Sequence, residues 1–178
     1  LTPAVELSYL TESQQRDLLE TMESEIMHYD LQLTGKSRGY RRTGENDTAL
    51  EQEALHVASQ SDVILYCFGL DELSESEGLD RAHMKIPQNQ IDLLEKLFQC
   101  GKPVIGILSA GSATEMTWEK NLTAIVHGYL GGQASASAMF NVLTGRVNPS
   151  GHLNETYPLD YEDTPAYHYF PSEERTAQ

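Results

Sequence analysis

Asp62-Val63-Ile64-Leu65-Tyr66-Cys67-Phe68-Gly69 decides the fold of this chain. The run is apolar, β-branched and aromatic, too brief for a helix and closed by glycine, so it reads as a strand buried on both faces. Downstream, Pro87-Gln88-Asn89-Gln90 opens a helix whose apolar Ile91, Leu94, Leu97 and Phe98 share one stripe, and Cys100-Gly101 closes it. Lys102-Pro103-Val104-Ile105-Gly106-Ile107-Leu108 is a second buried strand. Strand, helix and strand at this spacing make a βαβ unit, which predicts an α/β domain with a parallel sheet. Ligands of such sheets gather at the carboxyl ends of the strands. The segment from Leu70 to Arg81 falls there, and its second half, Ser74-Glu75-Ser76-Glu77-Gly78-Leu79-Asp80-Arg81, concentrates acids around a glycine.

Outward from this unit, Glu12 to Ile26 places Leu18, Leu19, Met22 and Ile26 on one face and predicts a helix capped by Thr11. Tyr29 to Leu33 reads as a strand, and Thr34 to Thr48 as a loop. Thr48 to Ser59 predicts a helix, Trp118 to Asn121 a turn, Ala124 to Tyr129 a third strand, and Ala134 to Leu143 an Ala-rich helix. After Gly151 the chain is rich in Tyr, Pro and acids and reads as extended surface. At 178 residues, 39% apolar, the chain is long enough for one core. Its formal charge of −15 argues against nucleic acid or anionic membranes, whose binders need a basic face.

Cys67 and Cys100 form no CxxC pair and read as reduced thiols in or near the core. No apolar run approaches membrane-spanning length. The start, Leu1-Thr2-Pro3, has no initiator Met and no leader pattern, as expected of a piece of a longer protein. The compartment stays open, with the cytoplasm slightly favoured. Six scattered histidines without HxH or HxxxH spacing predict no metal site, and no cofactor is expected. Ser109-Ala110-Gly111-Ser112 lacks the GxSxG frame of a nucleophile turn and reads as a Gly-rich strand exit. Gly128-Tyr129-Leu130-Gly131-Gly132 is no dinucleotide fingerprint. His127, in a strand, reads as a satisfied core histidine.

Six segments in order carry a resemblance. Gly69-Leu70-Asp71-Glu72, Glu77-Gly78-Leu79-Asp80-Arg81, Ile86-Pro87-Gln88-Asn89-Gln90, Lys102-Pro103-Val104, Met116-Thr117-Trp118 and Leu143-Thr144-Gly145-Arg146-Val147-Asn148-Pro149-Ser150-Gly151-His152-Leu153 resemble glycoside hydrolase family 3. The likeness is to the second, C-terminal domain of β-glucosidase-like members and spans about Thr48 to Pro158. It implies a three-layer α/β sandwich with a mostly parallel central sheet flanked by helices, as one domain over 1–158 followed by an extended tail over 159–178. The chain departs from the family where Gln133-Ala134-Ser135-Ala136 replaces the usual Gln-Glu-Gly-Gly, and the first strand of the sandwich is not evident in the sequence.

The resemblance further implies a retaining β-glycosidase acting on terminal β-linked sugars, in which an N-terminal barrel domain brings the carboxylate nucleophile. The partners so implied are that barrel and a glycoside or oligosaccharide. In many relatives a sandwich-domain loop delivers the general acid/base from a Glu directly before Gly. Matched residue by residue, that is Glu77, with Glu75 and Glu72 as fallbacks. Retaining hydrolysis needs two carboxyl groups about 5–5.5 Å apart, one attacking and one protonating the leaving oxygen. With one member of the pair, the isolated chain is expected to be inactive. Asp80 and Arg81 are expected as loop scaffold, Arg81 pointing at Asp80 or another acid. Asp71 either touches substrate or caps a turn, and Trp118, the sole Trp, either stacks on sugar or packs beneath the loop. Without the resemblance the acidic run is a solvated surface loop, and the alternative is a non-catalytic module for domain docking or carbohydrate contact.

Overall fold

The computed structural model describes the backbone of residues 2–4 together with residues 31–78 and 80–169. The expected helix over 12–26 lies outside these residues. The decisive run forms β2 (Ile64–Gly69), after β1 (Thr2–Ala4) and α1 (Thr48–Ser59). Then come α2 (Gln88–Gln99), β3 (Val104–Ser109), β4 (Ala124–His127) and α3 (Ser135–Leu143), with a 3-10 turn at Glu119–Asn121. All strands are parallel in the order β1-β2-β3-β4, with Ile64 opposite Val104 and Leu108 opposite His127. The sheet with its helices is an α/β sandwich.

Three sequence expectations are corrected. β1 is a strand that no pattern announced: it is three residues long and includes Pro3, which has no N–H to give and is tolerated because β1 stands at the end of the sheet order. Residues 31–33 carry no strand. The two edges of β2 are taken by β1 and β3, so that segment finds no place beside it. The tail is not wholly extended, because Asp160 accepts from Glu162 N at 3.0 Å and caps a 3-10 turn at Tyr161–Asp163.

Alternation along the strands divides the core. Ile64, Tyr66 and Phe68 of β2 join Val104 and Leu108 of β3 in one cluster, with Ala54 and Ala58 from α1 and Leu93, Leu94 and Leu97 from α2. Leu65 and Ile107, of opposite parity, are also buried but lie outside that cluster. β2 is therefore covered on both faces, as its unbroken apolar run required.

Local chemistry sets the helix ends. Asp47 caps α1 by accepting from Ala49 N at 3.0 Å and Leu50 N at 3.2 Å. Pro87 precedes α2, and Gly101, at φ +69°, follows it in a left-handed conformation open to glycine. The first turn of α2 buries two polar side chains, Asn89 and Gln90, which is unusual without partners. Each has one. Asn89 Nδ2 donates to the Arg41 carbonyl at 2.7 Å, holding the 41–45 loop against the helix. Gln90 reaches the end of β2, accepting from Gly69 N at 2.8 Å and donating to Gly69 O at 3.1 Å.

Candidate active site

The acidic loop leaves the carboxyl end of β2 at a point fixed from two sides. Gln90 holds both polar groups of the Gly69 peptide, and Leu70 N donates to Ser109 O at 2.8 Å. Gly69 has φ +144°, and a Cβ there would stand 1.8 Å from Ser109 O, so no other residue passes β3 this closely.

Asp71 then turns the chain. Its Oδ1 accepts from Leu73 N at 3.1 Å, Ser74 N at 3.2 Å and Ser74 Oγ at 3.1 Å, while its carbonyl accepts from Glu75 N at 2.8 Å. Its Oδ2 meets Arg42 Nε at 3.1 Å, and Arg42 Nη2 also pairs with Glu72. Asp71 thus caps a turn with Oδ1 and pairs with Arg42 through Oδ2. Arg42, which the sequence left in an unassigned loop, is brought here by the Asn89 bond to its neighbour Arg41.

Glu75 lies across the exit of β3. Its Oε1 accepts from Gly111 N at 2.6 Å and its Oε2 from Ser112 Oγ at 3.2 Å. Arg81, on the far limb of the loop, reaches the same serine: Nη1 donates to Ser112 Oγ at 2.7 Å and to the Ala113 carbonyl at 3.2 Å. Its attraction is thus to Glu75 through Ser112 and not to Asp80, because the 112–113 segment lies within reach of its fork. Burial lowers the Arg81 pKa, and the charge of Glu75 opposes that shift. The limb continues along the β3 exit, with Glu115 N donating to the Met84 carbonyl at 2.8 Å and Lys85 Nζ 4.0 Å from Glu115 Oε2.

Between these ties stands Glu77. It is exposed, it precedes Gly78 at φ +79°, and it makes no hydrogen bond or ion pair among the described residues. Asp80 is exposed too and lines an open cavity of about 440 Å³ with Arg42, Arg81, His83 and Lys85.

Trp118 is elsewhere. It is 4% exposed and meets Phe68 edge-on at 4.9 Å, inside the core cluster. Its ring is enclosed in the core, away from solvent. Two readings of the sequence missed their residues' work. Gly111-Ser112, taken only as a strand exit, receives the loop, and Gln90 roots it. For Gln90 the available signal was its place in the matched Ile86–Gln90 segment.

A second cavity, about 740 Å³, flanks β4 and α3. Here His127 stacks on Tyr129 at 3.8 Å, its Nε2 lies 2.5 Å from Tyr157 Oη, and its Nδ1 lies 3.1 Å from Tyr129 N. Both ring nitrogens are satisfied. Desolvation lowers the His127 pKa, against the Leu108 carbonyl and Glu155, which raise it. Tyr129 sits at φ +48°, and its hydroxyl donates to Asn154 Oδ1 at 3.0 Å. Among the described residues no group of three metal-ligating side chains converges, and no helix is long and apolar enough to cross a membrane.

Known proteins resemble this chain in sequence and fold. The family description "Glycosyl hydrolase family 3 C-terminal domain" matches residues 5–178. Thermostable beta-glucosidase B of Acetivibrio thermocellus is 42% identical over 139 residues, 78% of this chain and 18% of that protein. An exo-alpha-(1->6)-L-arabinopyranosidase of Bifidobacterium breve is 42% identical over 129 residues, 72% of this chain and 17% of that protein. The crystal structure of a GH3 beta-glucosidase from Bifidobacterium adolescentis superposes with a TM-score of 0.79 at 33% identity, over 86% of this chain and 23% of that one. The chain thus spans less than a fifth of the length of both sequence relatives. By sequence and by fold, it belongs to glycosyl hydrolase family 3, as the C-terminal domain of that family.

Proposed function

We propose that this chain is the acid/base-bearing domain of a retaining β-glycosidase that hydrolyses terminal β-linked sugars, with Glu77 as the proton donor. The nucleophile comes from a barrel domain, and the 178 residues alone do not turn over substrate. The observation that carries this reading is the division of labour among the loop carboxylates. Asp71 and Glu72 are held by Arg42, and Glu75 by Gly111 and Ser112, so each already has a partner that fixes its position. Glu77 has none among the described residues and is exposed at the carboxyl edge of the sheet. A group that must meet a nucleophile on another domain at about 5–5.5 Å needs that freedom. Asp80 shares it, but the family pattern selects the Glu before Gly, and Glu has the longer reach.

The domain is taken as 1–158, a boundary supported by the bond from Met116 N to the Pro158 carbonyl at 3.0 Å, with 159–178 as tail. Equal identity to a β-glucosidase and to an arabinopyranosidase supports a choice of sugar made mainly outside this domain.

The test is Glu77→Ala in the protein that unites this domain with its barrel. Turnover of an alkyl or natural glycoside should fall about 10²–10⁴-fold, the usual worth of general acid–base catalysis, and an aryl glycoside with a good leaving group should suffer far less. Azide should restore part of the second step by attacking the glycosyl-enzyme and releasing the nucleophile carboxylate. Small and equal losses on both substrates would refute the assignment.

A further inference from the structure

We propose that Ser112 is a positioning residue for the proton donor, its hydroxyl bonding to both flanks of the Glu77 loop just beyond the end of β3. The inference rests on the reading of Glu77 given above. Ser112 Oγ donates to Glu75 Oε2 at 3.2 Å and accepts from Arg81 Nη1 at 2.7 Å. Glu75 stands two residues before Glu77 and Arg81 four after it, so one hydroxyl joins an anion and a cation across the base of the loop.

The neighbouring backbone is shaped for the same contact. Glu75 Oε1 takes the Gly111 N–H at 2.6 Å, and a Cβ on Gly111 would stand 2.1 Å from that oxygen. Only glycine leaves room for the carboxylate at its observed depth. The clamp leaves Glu77 untouched while fixing the chain on either side, which is how an exposed acid keeps one address without a bond of its own. Such restraint matters because misplacement of a catalytic group by about 1 Å can cost on the order of 10²-fold in rate.

Two measurements separate this inference from the reading beneath it. On the 178-residue chain, Ser112→Ala and Gly111→Ala should speed hydrogen exchange of amides 74–78 and of residue 111 about tenfold, while those of β2 and β3 stay protected. Unchanged exchange in both variants would overturn the clamp. In the protein with its barrel, Ser112→Ala should lower kcat about tenfold on a glycoside with a poor leaving group, with KM within about twofold and little loss on an activated aryl glycoside; Ser112→Thr should recover most of it. A loss of the same size on both substrates, or in KM alone, would mark Ser112 as merely structural. If Glu77→Ala shows leaving-group dependence and Ser112→Ala does not, the positioning role falls and the proton donor stands. If Glu77→Ala shows none, both fall, whatever the exchange reports.

Discussion

Replacing Gln90 by Met tests whether the buried amide at the head of α2 holds the root of the acidic loop. Methionine matches the length and volume of glutamine but can neither accept from Gly69 N nor donate to Gly69 O, bonds of 2.8 and 3.1 Å in the native chain. Gln90 is 7% exposed, and water does not readily replace it. Two net hydrogen bonds contribute about 1 kcal/mol each, and stranding the Gly69 N–H adds about 1–3 kcal/mol of uncompensated desolvation, giving a loss of about 3–5 kcal/mol. Equilibrium urea unfolding followed by circular dichroism reads this directly. With a slope of about 2 kcal/mol per molar, the midpoint should fall by about 1.5–2.5 M. Gln88→Ala is the control. That side chain is exposed and, among the described residues, bonds only to Asp92, one turn along, so its loss should stay within about 0.5 kcal/mol. If Gln90→Met also stays within about 0.5 kcal/mol, the amide is not what fixes the end of β2.

Two more outcomes follow from the titrating groups. Cys67 keeps some accessible surface, but burial pushes its thiol up to about 12, whereas Cys100 lies at the end of α2. At pH 8 a chromogenic disulfide should therefore label one thiol per native chain quickly and the second only on unfolding, and equal rates would contradict the burial of Cys67. His127 has its pKa lowered, chiefly by desolvation, so the unfolded chain binds the extra proton more readily. Its contribution to stability is full above the unfolded value near 6.5 and is lost as pH falls below it. His127→Gln should flatten the decline in unfolding free energy between pH 7.5 and 5, and an unchanged slope would refute this.

What was legible in the sequence follows the range of the forces involved. β2, α2 and β3 were readable because burial on both faces demands a continuous apolar run and a helix on the sheet demands a stripe, both local patterns. The Thr48–Ser59 pattern gave α1 in the same way, while its Asp47 cap was found only in the structure. β1 was not legible, since three residues including a proline carry no period, and only pairing with Ile64–Tyr66 makes them a strand. Of the expected strand over Tyr29 to Leu33, the described residues 31–33 carry none for the complementary reason: a strand is defined by a partner, and the edges of β2 were already taken. In the loop, the density of acids was visible, but their separate roles depended on Arg42 and Ser112, about 30 residues away on either side in the chain.

This difference between density and role alters what the acidity of the loop means. Read as composition, five carboxylates from Asp71 to Asp80 suggest a repulsive, solvated segment, in keeping with a formal charge of −15. In the structure three of the five are ties. Asp71 and Glu72 take the charge of Arg42 and close a turn, and Glu75 takes a backbone amide and the hydroxyl that Arg81 holds. Charge here organises the backbone through directional bonds, to Arg42 beside the Arg41 carbonyl that α2 holds and to Gly111 and Ser112 just beyond β3. The acids that remain, Glu77 and Asp80, are left without such donors among the described residues. Adding a donor beside Glu77 would convert it into another tie, favouring its charged form. An acid that must exchange a proton with substrate is therefore better served by neighbours that hold the chain than by neighbours that hold the acid.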